Sequence, residues 1–141
     1  MVTDGDTLMK INPGIRVYGD MDYRNKNCSR EDLESITLVN QVKKRYPHLL
    51  MMHIKNEGKK TKAQADFDKS MGMLKGASDF IILGSPSMCL ELKRKDHTLS
   101  AWQTGQQEFL IESQNQGCFS CVCFGWEAGI EAIEDWLKVK K

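Results

Sequence analysis

Asp79, Glu91 and Lys93 are the residues whose types and spacing could do chemistry. Asp79 opens the first of two short apolar segments, 79–83 and 88–93, which Gly84-Ser85-Pro86-Ser87 joins as a hairpin. Glu91 and Lys93 are two apart on the second segment, so on a strand their side chains leave the same face. Two carboxylates and a lysine converging at a hairpin suit hydrolysis assisted by a hard cation. The carboxylates offer oxygens to Mg²⁺, which binds few protein carboxylates and keeps waters for the reaction. The lysine orients or helps deprotonate the attacking water and stabilises charge on a phosphorane-like transition state. As a bare pattern, Asp-x(11)-Glu-x-Lys recurs by chance, and taken alone it fits the solvent side of an amphipathic strand better.

Two further polar residues stand where apolar ones belong. The spacing predicts a helix from about Ser100 to Gln116, ended by Gly117. Trp102, Phe109 and Ser113 form one face of it, with Gln106 in the middle. Burying that glutamine unpaired costs roughly 1–3 kcal/mol, so it needs a partner. An earlier helix is predicted from an N-cap at Ser29, with Asp32 at N3, to Tyr46, where Pro47 stops it. On it Glu31 shares a face with Ser35, Leu38 and Val42, whereas Glu34 points with Gln41 and Arg45 toward solvent. An acid at a helix start also fits simple dipole compensation. Gln106 and Glu31 together favour a site.

The remaining elements must position these residues. Residues 1–27 read as a weakly structured leader, with 15–18 the one short strand candidate, and 28–141 as the folded domain. A strand is expected over 49–55, then a turn at Asn56-Glu57-Gly58 and a helix over about 63–74. A buried strand follows over 118–124 and a last helix over 127–139, with Ile130, Ile133, Trp136 and Leu137 inward. The order predicts an α/β domain, a small mixed sheet flanked by helices.

With 141 residues, 40% of them hydrophobic, the chain supports one core without disulfide staples. Its apolar runs reach four or five residues, so no membrane span is expected, and the amino terminus does not read as a secretory signal. Five cysteines, an odd number, indicate reduced thiols and a cytoplasmic location. Cys118, Cys121 and Cys123 invite a zinc reading, but on a strand Cys118 faces away from the other two, so buried structural thiols are expected. The net charge is +1, yet residues 43–75 hold nine bases against three acids, a clustering that can make a phosphate-binding face but taken alone reads first as a solvated charged surface.

Taken in order, these motifs resemble a VRR-NUC domain, a branch of the PD-(D/E)xK nuclease superfamily. The segments that carry the resemblance are Tyr46-Pro47-His48-Leu49, His53-Ile54-Lys55-Asn56-Glu57-Gly58 and Lys75-Gly76-Ala77-Ser78-Asp79, followed by Leu90-Glu91-Leu92-Lys93 and Gln106-Gln107-Glu108-Phe109-Leu110. They span about two-thirds of the chain. Ser78 stands where the family usually has proline, and Ser35 where it often has glutamine.

The resemblance implies a restriction-endonuclease-like αβββαβ core. It implies Asp79 and Glu91 as metal ligands with the Leu92 carbonyl as a third, Lys93 as the catalytic lysine, Gln106 as its helper and Glu31 as the early helical acid. His53, Asn56 and Glu57 are expected to line the site or pack its turn. Lys59, Lys60, Lys62, Arg94, Lys95 and His97, in loops bordering it, are expected on the DNA backbone. The implied activity is a Mg²⁺- or Mn²⁺-dependent endodeoxyribonuclease, structure-specific in the manner of Holliday-junction resolvases. It would act as a homodimer on branched DNA, in the bacterial host's cytoplasm if the origin is viral. The competing readings are a catalytically silent nucleic-acid-binding module of the same fold and a nuclease subunit active only inside a complex.

Overall fold

The computed structural model describes residues 9–54 and 60–141. Five strands form one mixed sheet: β1 (Arg16–Tyr18), β2 (Met51–His53), β3 (Phe80–Ile82), β4 (Met88–Lys93) and β5 (Phe119–Phe124). Their spatial order is β1-β5-β4-β3-β2, with β1, β5 and β4 parallel and β3 and β2 antiparallel to their neighbours. Among the described residues four α-helices accompany it: α1 (Glu31–Arg45), α2 (Lys62–Ser70), α3 (Gln106–Asn115) and α4 (Trp126–Val139).

The two faces of the sheet carry separate cores. On one, Leu38 and Val42 of α1 and Ile130, Ile133 and Trp136 of α4 pack on Leu90 and Leu92 of β4 and Cys121 and Cys123 of β5. On the other, Leu110 of α3 and Ile15 pack on Val122 and Phe124. Period-two alternation therefore sends Leu90 and Leu92 toward α1 and α4, and Glu91 and Lys93 toward α3. Because β4 is the central strand and both faces are covered, all six of its residues are buried.

Over its described part the 1–27 segment lies against the domain, and its strand falls at the expected candidate 15–18. Arg16–Tyr18 is an edge strand parallel to β5, and the preceding loop is tied to α3 and the residues before it: the Trp102 indole donates to the Lys10 carbonyl at 2.9 Å and Asn12 N–H to Gln107 at 2.8 Å. Met9, Ile11 and Met21 cover the second core. Those contacts come from residues far along the chain, which local periodicity does not register.

α1 begins at Glu31, one residue after Arg30, and no side chain caps it; Ser29 and Asp32 do not make the expected box. Its first turn holds Glu31, Asp32 and Glu34 and its last Lys43, Lys44 and Arg45, which complements the helix dipole. Glu34 is buried rather than solvent-facing. Its Oε1 accepts the Trp126 N–H at 2.9 Å and so caps α4, whose N-cap position is Gly125 and offers no side chain. Burial raises its carboxyl pKa while that N–H opposes the rise. Glu34→Ala is expected to cost about 1–2 kcal/mol, read as a lower midpoint in urea unfolding with the slope unchanged.

α3 starts at Gln106, about six residues later than periodicity predicts. Residues His97–Leu99 form one 3-10 turn, with Asp96 capping the Thr98 N–H, and Gly105 sits at φ +91°, outside the helical region. Trp102 therefore lies before the helix, and Gln106 is its first residue rather than the middle of a stripe.

Candidate active site

The site lies where β4 runs past the end of β3. Glu91 and Lys93 emerge side by side beneath α3, with side chains 1% and 2% exposed. That burial excludes the alternative that they form a solvent-facing strand edge. Lys93 Nζ donates to Gln106 Oε1 at 2.8 Å and to the Ala101 carbonyl at 3.0 Å, and lies 3.5 Å from Glu91 Oε2. It also sits 5.3 Å from the centre of the Trp102 ring. Gln106 Nε2 donates to Glu91 Oε2 at 2.9 Å, so one amide bridges the acid and the amine. An i, i+2 pair on a strand and the first residue of a helix thus close one ring of two hydrogen bonds and an ion pair.

Asp79 reaches in from the residue before β3. Its Oδ2 accepts the Leu92 N–H at 2.7 Å. In a strand the N–H and C=O of one residue leave on the same side, so the Leu92 carbonyl faces the Asp79 gap too. Ser78, in place of the family's proline, is buried and its hydroxyl donates to the Phe80 carbonyl at 3.1 Å. Glu31 comes from the first turn of α1, and one carboxylate oxygen each from Glu31, Asp79 and Glu91 lie within 4.8 Å of one another.

Electrostatics set the state of this cluster. Burial, then the charge of Asp79, pushes the Glu91 carboxyl up to about 9. Burial raises Asp79, against the opposing Leu92 N–H, and burial raises Glu31, against the charge of Lys93. Three acids in one desolvated pocket repel one another, and protons or a cation must relieve them. Glu91 Oε1 is moreover buried with no hydrogen-bond partner among the described residues. Hard oxygen donors, an orphaned buried carboxylate oxygen and mutual repulsion fit a divalent cation such as Mg²⁺ or Mn²⁺.

The basic residues divide. Arg94 follows Lys93 and points to the opposite face, where its guanidinium donates to the carbonyls of Cys28 at 2.6 Å and Ser29 at 3.1 Å. It ties the chain entering α1 to the end of β4 and so sets where Glu31 arrives. Lys60 pairs with Asp68 at 2.6 Å, Lys62 with Asp66 at 2.8 Å and Lys95 with Glu127 at 3.8 Å, Lys95 also lying over the Tyr23 ring. His97 is buried against the edge of Phe124, because the 3-10 turn folds it under the sheet, and is removed from the DNA-facing set. His53 stacks on Phe80 at 4.9 Å and borders, with Asp79 and Gln106, a cleft of about 500 Å³. Asn56, Glu57 and Lys59 lie outside the described residues.

Sequence reasoning did not find the Ala101 carbonyl or the role of Arg94. A backbone acceptor has no residue-type signal, and an arginine docking a loop reads like any charged loop residue. The cysteines follow the expected alternation: Cys121 and Cys123 share the α1/α4 face, their Sγ atoms 3.7 Å apart, and all five thiols are free.

The three-layer arrangement, a five-stranded mixed sheet between helices with acids at the end of its antiparallel pair, is a restriction-endonuclease-like fold. A solved structure described as a VRR_NUC domain protein matches it with a TM-score of 0.61 and 20% identity, over 79% of this chain and 91% of that one. At that identity the likeness establishes the fold. No protein-family model matches the chain, and no curated protein is similar to it at the level of significance applied. No described helix is long and apolar enough to cross a membrane.

Proposed function

We propose that this chain is a Mg²⁺- or Mn²⁺-dependent nuclease that hydrolyses DNA phosphodiesters. The observation that carries the reading is the buried ring of Glu91, Lys93 and Gln106 beside Asp79 and Glu31, with Glu91 Oε1 left unpaired. The name of the similar structure, a VRR_NUC domain protein, agrees with it.

Asp79, Glu91 and the Leu92 carbonyl would hold the cation, with Glu31 completing the acidic set. When bound, the ion supplies a Lewis acid that polarises the phosphoryl oxygen and acidifies a water. The chain's own residues do the rest. Lys93 Nζ, held by Gln106 and the Ala101 carbonyl, donates toward the water that attacks phosphorus in line and toward the charge that builds on the phosphoryl oxygens. Gln106 keeps that amine aimed and keeps Glu91 Oε2 turned inward. As the new P–O bond forms, the attacking water gives up a proton to solvent, the bond to the leaving deoxyribose oxygen breaks on the opposite side, and that oxygen takes a proton from a second water. Lys60, Lys62 and Lys95 sit in exposed or half-exposed ion pairs, which exchange cheaply for phosphate.

We extend the proposal to a homodimer acting on branched DNA. One site cuts one strand, and a two-fold dimer matches a junction that offers two symmetric strands. The test is cleavage of matched four-way junction, flap, single-stranded and linear duplex DNA in Mg²⁺, Mn²⁺ or EDTA, with Asp79→Asn beside the wild type. Cutting that needs the metal and is lost in the variant is expected, with the junction ranked first. Salt-sensitive binding without cutting on all four substrates would replace the enzyme with a binding module.

Arg94→Ala gives a separate prediction. Without its hold on the Cys28 and Ser29 carbonyls, Glu31 is no longer delivered to the cluster. Mn²⁺ affinity by titration calorimetry should fall about 10-fold, as for other residues that orient a metal ligand.

A further inference from the structure

The cleft beside the carboxylates is built as a receptacle of its own. It shares Asp79 and Gln106 with the site and has a volume of about 500 Å³, within the range of clefts that hold one small ligand. Its floor is a seam between two loops: a Cβ on Gly76 would lie 2.3 Å from the Gly105 carbonyl carbon, and both glycines have positive φ. That contact holds the 75–77 turn against the residues leading into α3, so the cleft and the Gln106 amide are fixed to one another.

The walls offer two kinds of chemistry. The His53 ring, exposed and backed by Phe80, and the Met73 thioether present flat, polarisable surfaces, while Gln103 and Thr104 present polar groups. Among the described residues the formal charges of the lining cancel, with Lys60, Lys69 and Lys75 set against Asp66, Asp68 and Asp79. A track for successive phosphates would be strongly positive. A neutral, half-apolar cleft of this size suits a nucleobase, which stacks on side-chain faces and presents polar edges.

We infer that this cleft receives the base of one unpaired nucleotide next to the phosphate in the site, and that the protein therefore selects DNA with an unpaired nucleotide at that position. The inference rests on the nuclease reading for the location of the phosphate. The base leaves its stack and lies between His53 and Met73, a cost that is smallest where the nucleotide has no partner.

The test is fluorescence anisotropy in EDTA, where no cleavage occurs. It uses hairpin DNAs that are fully paired, carry one unpaired nucleotide, or carry an abasic residue at the same place. The wild type is expected to bind the unpaired nucleotide at least 10-fold tighter than the paired or abasic DNA. Ala65→Trp, which fills the cleft from the exposed side of α2, should remove that preference and leave the affinity for paired DNA unchanged; Met73→Ala should reduce it in part. Equal affinity for the unpaired and the abasic DNA overturns the inference, since flexibility alone would then suffice, and so does equal affinity for all three. So does an equal loss on every DNA in Ala65→Trp. A wild-type dimer that Ala65→Trp dissociates in light scattering would assign the cleft to a second copy of the chain and overturn it too. Mn²⁺-dependent cleavage is scored separately. Preference without cutting sinks the hydrolase and keeps the base cleft; cutting without preference does the reverse.

Discussion

Glu91→Gln is expected to make the metal-free protein more stable and the nuclease inactive. The carboxyl of Glu91 is forced up to about 9 by burial and by Asp79, so between the ordinary carboxylate range and pH 9 the native state holds a proton that the unfolded chain has released. A state that binds more protons loses stability as pH rises, so in EDTA the wild type should unfold more easily at pH 8.5 than at pH 5.5. Glutamine keeps the shape and can still accept from Gln106 and Lys93 while carrying no titratable proton. The variant should therefore flatten that pH slope and gain about 1–3 kcal/mol at neutral pH, an upward shift of several degrees in the thermal midpoint. The same change removes a charged ligand. The rise in thermal midpoint on adding Mn²⁺ should shrink sharply, and cleavage should fall about 10³-fold or more. Thermal unfolding over pH, with and without Mn²⁺, checks both halves. A wild type whose EDTA stability climbs from pH 5.5 to 8.5 would contradict the acidic cluster as described.

Lys93→Met separates chemistry from ion binding. Methionine fills nearly the same buried volume, but Gln106 Oε1, the Ala101 carbonyl and Glu91 Oε2 lose their common donor. Cleavage should drop about 10²- to 10³-fold, the usual cost of removing one donor aimed at developing charge. Stability should fall by about 1–3 kcal/mol, because the buried Glu91 loses its neighbouring cation while Gln106 Oε1 keeps only the Gln103 N–H at 2.9 Å. The Mn²⁺-induced rise in thermal midpoint should survive, since Asp79, Glu91 and the Leu92 carbonyl are untouched. Loss of that rise together with activity would make Lys93 a structural support rather than a chemical group. A single-turnover rate measured beside the thermal shift decides it.

Much of the arrangement is local and could be read from the chain. A strand has period two, so Glu91 and Lys93 had to share a face whatever surrounded them. The hairpin loop at 84–87 had to bring Asp79 back beside Glu91, and the register pairs Phe80 with Leu90, one residue further on. Gly117 ends α3 at φ +99° because few other residues adopt that conformation. Period alone misplaced the start of α3, since the spacing of Trp102 and Gln106 looks helical while Gly105 interrupts it. It also turned Glu34 outward: which of two acids in one helical turn faces the core depends on where α4 begins, and that is set by a residue 92 positions away.

The sequence by itself determined the elements, the strand face that carries an acid and a lysine, and the hairpin that returns an aspartate to them, because each follows from backbone periodicity and turn chemistry. Only the tertiary structure decided that this face is buried under α3 and not wet, that Arg94 docks a loop, and that residues 16–18 close the sheet. Burial is a property of neighbours distant in the chain. It is burial that turns Glu-x-Lys on a strand from a solvated edge into three repelling acids, a held amine and one unpaired oxygen.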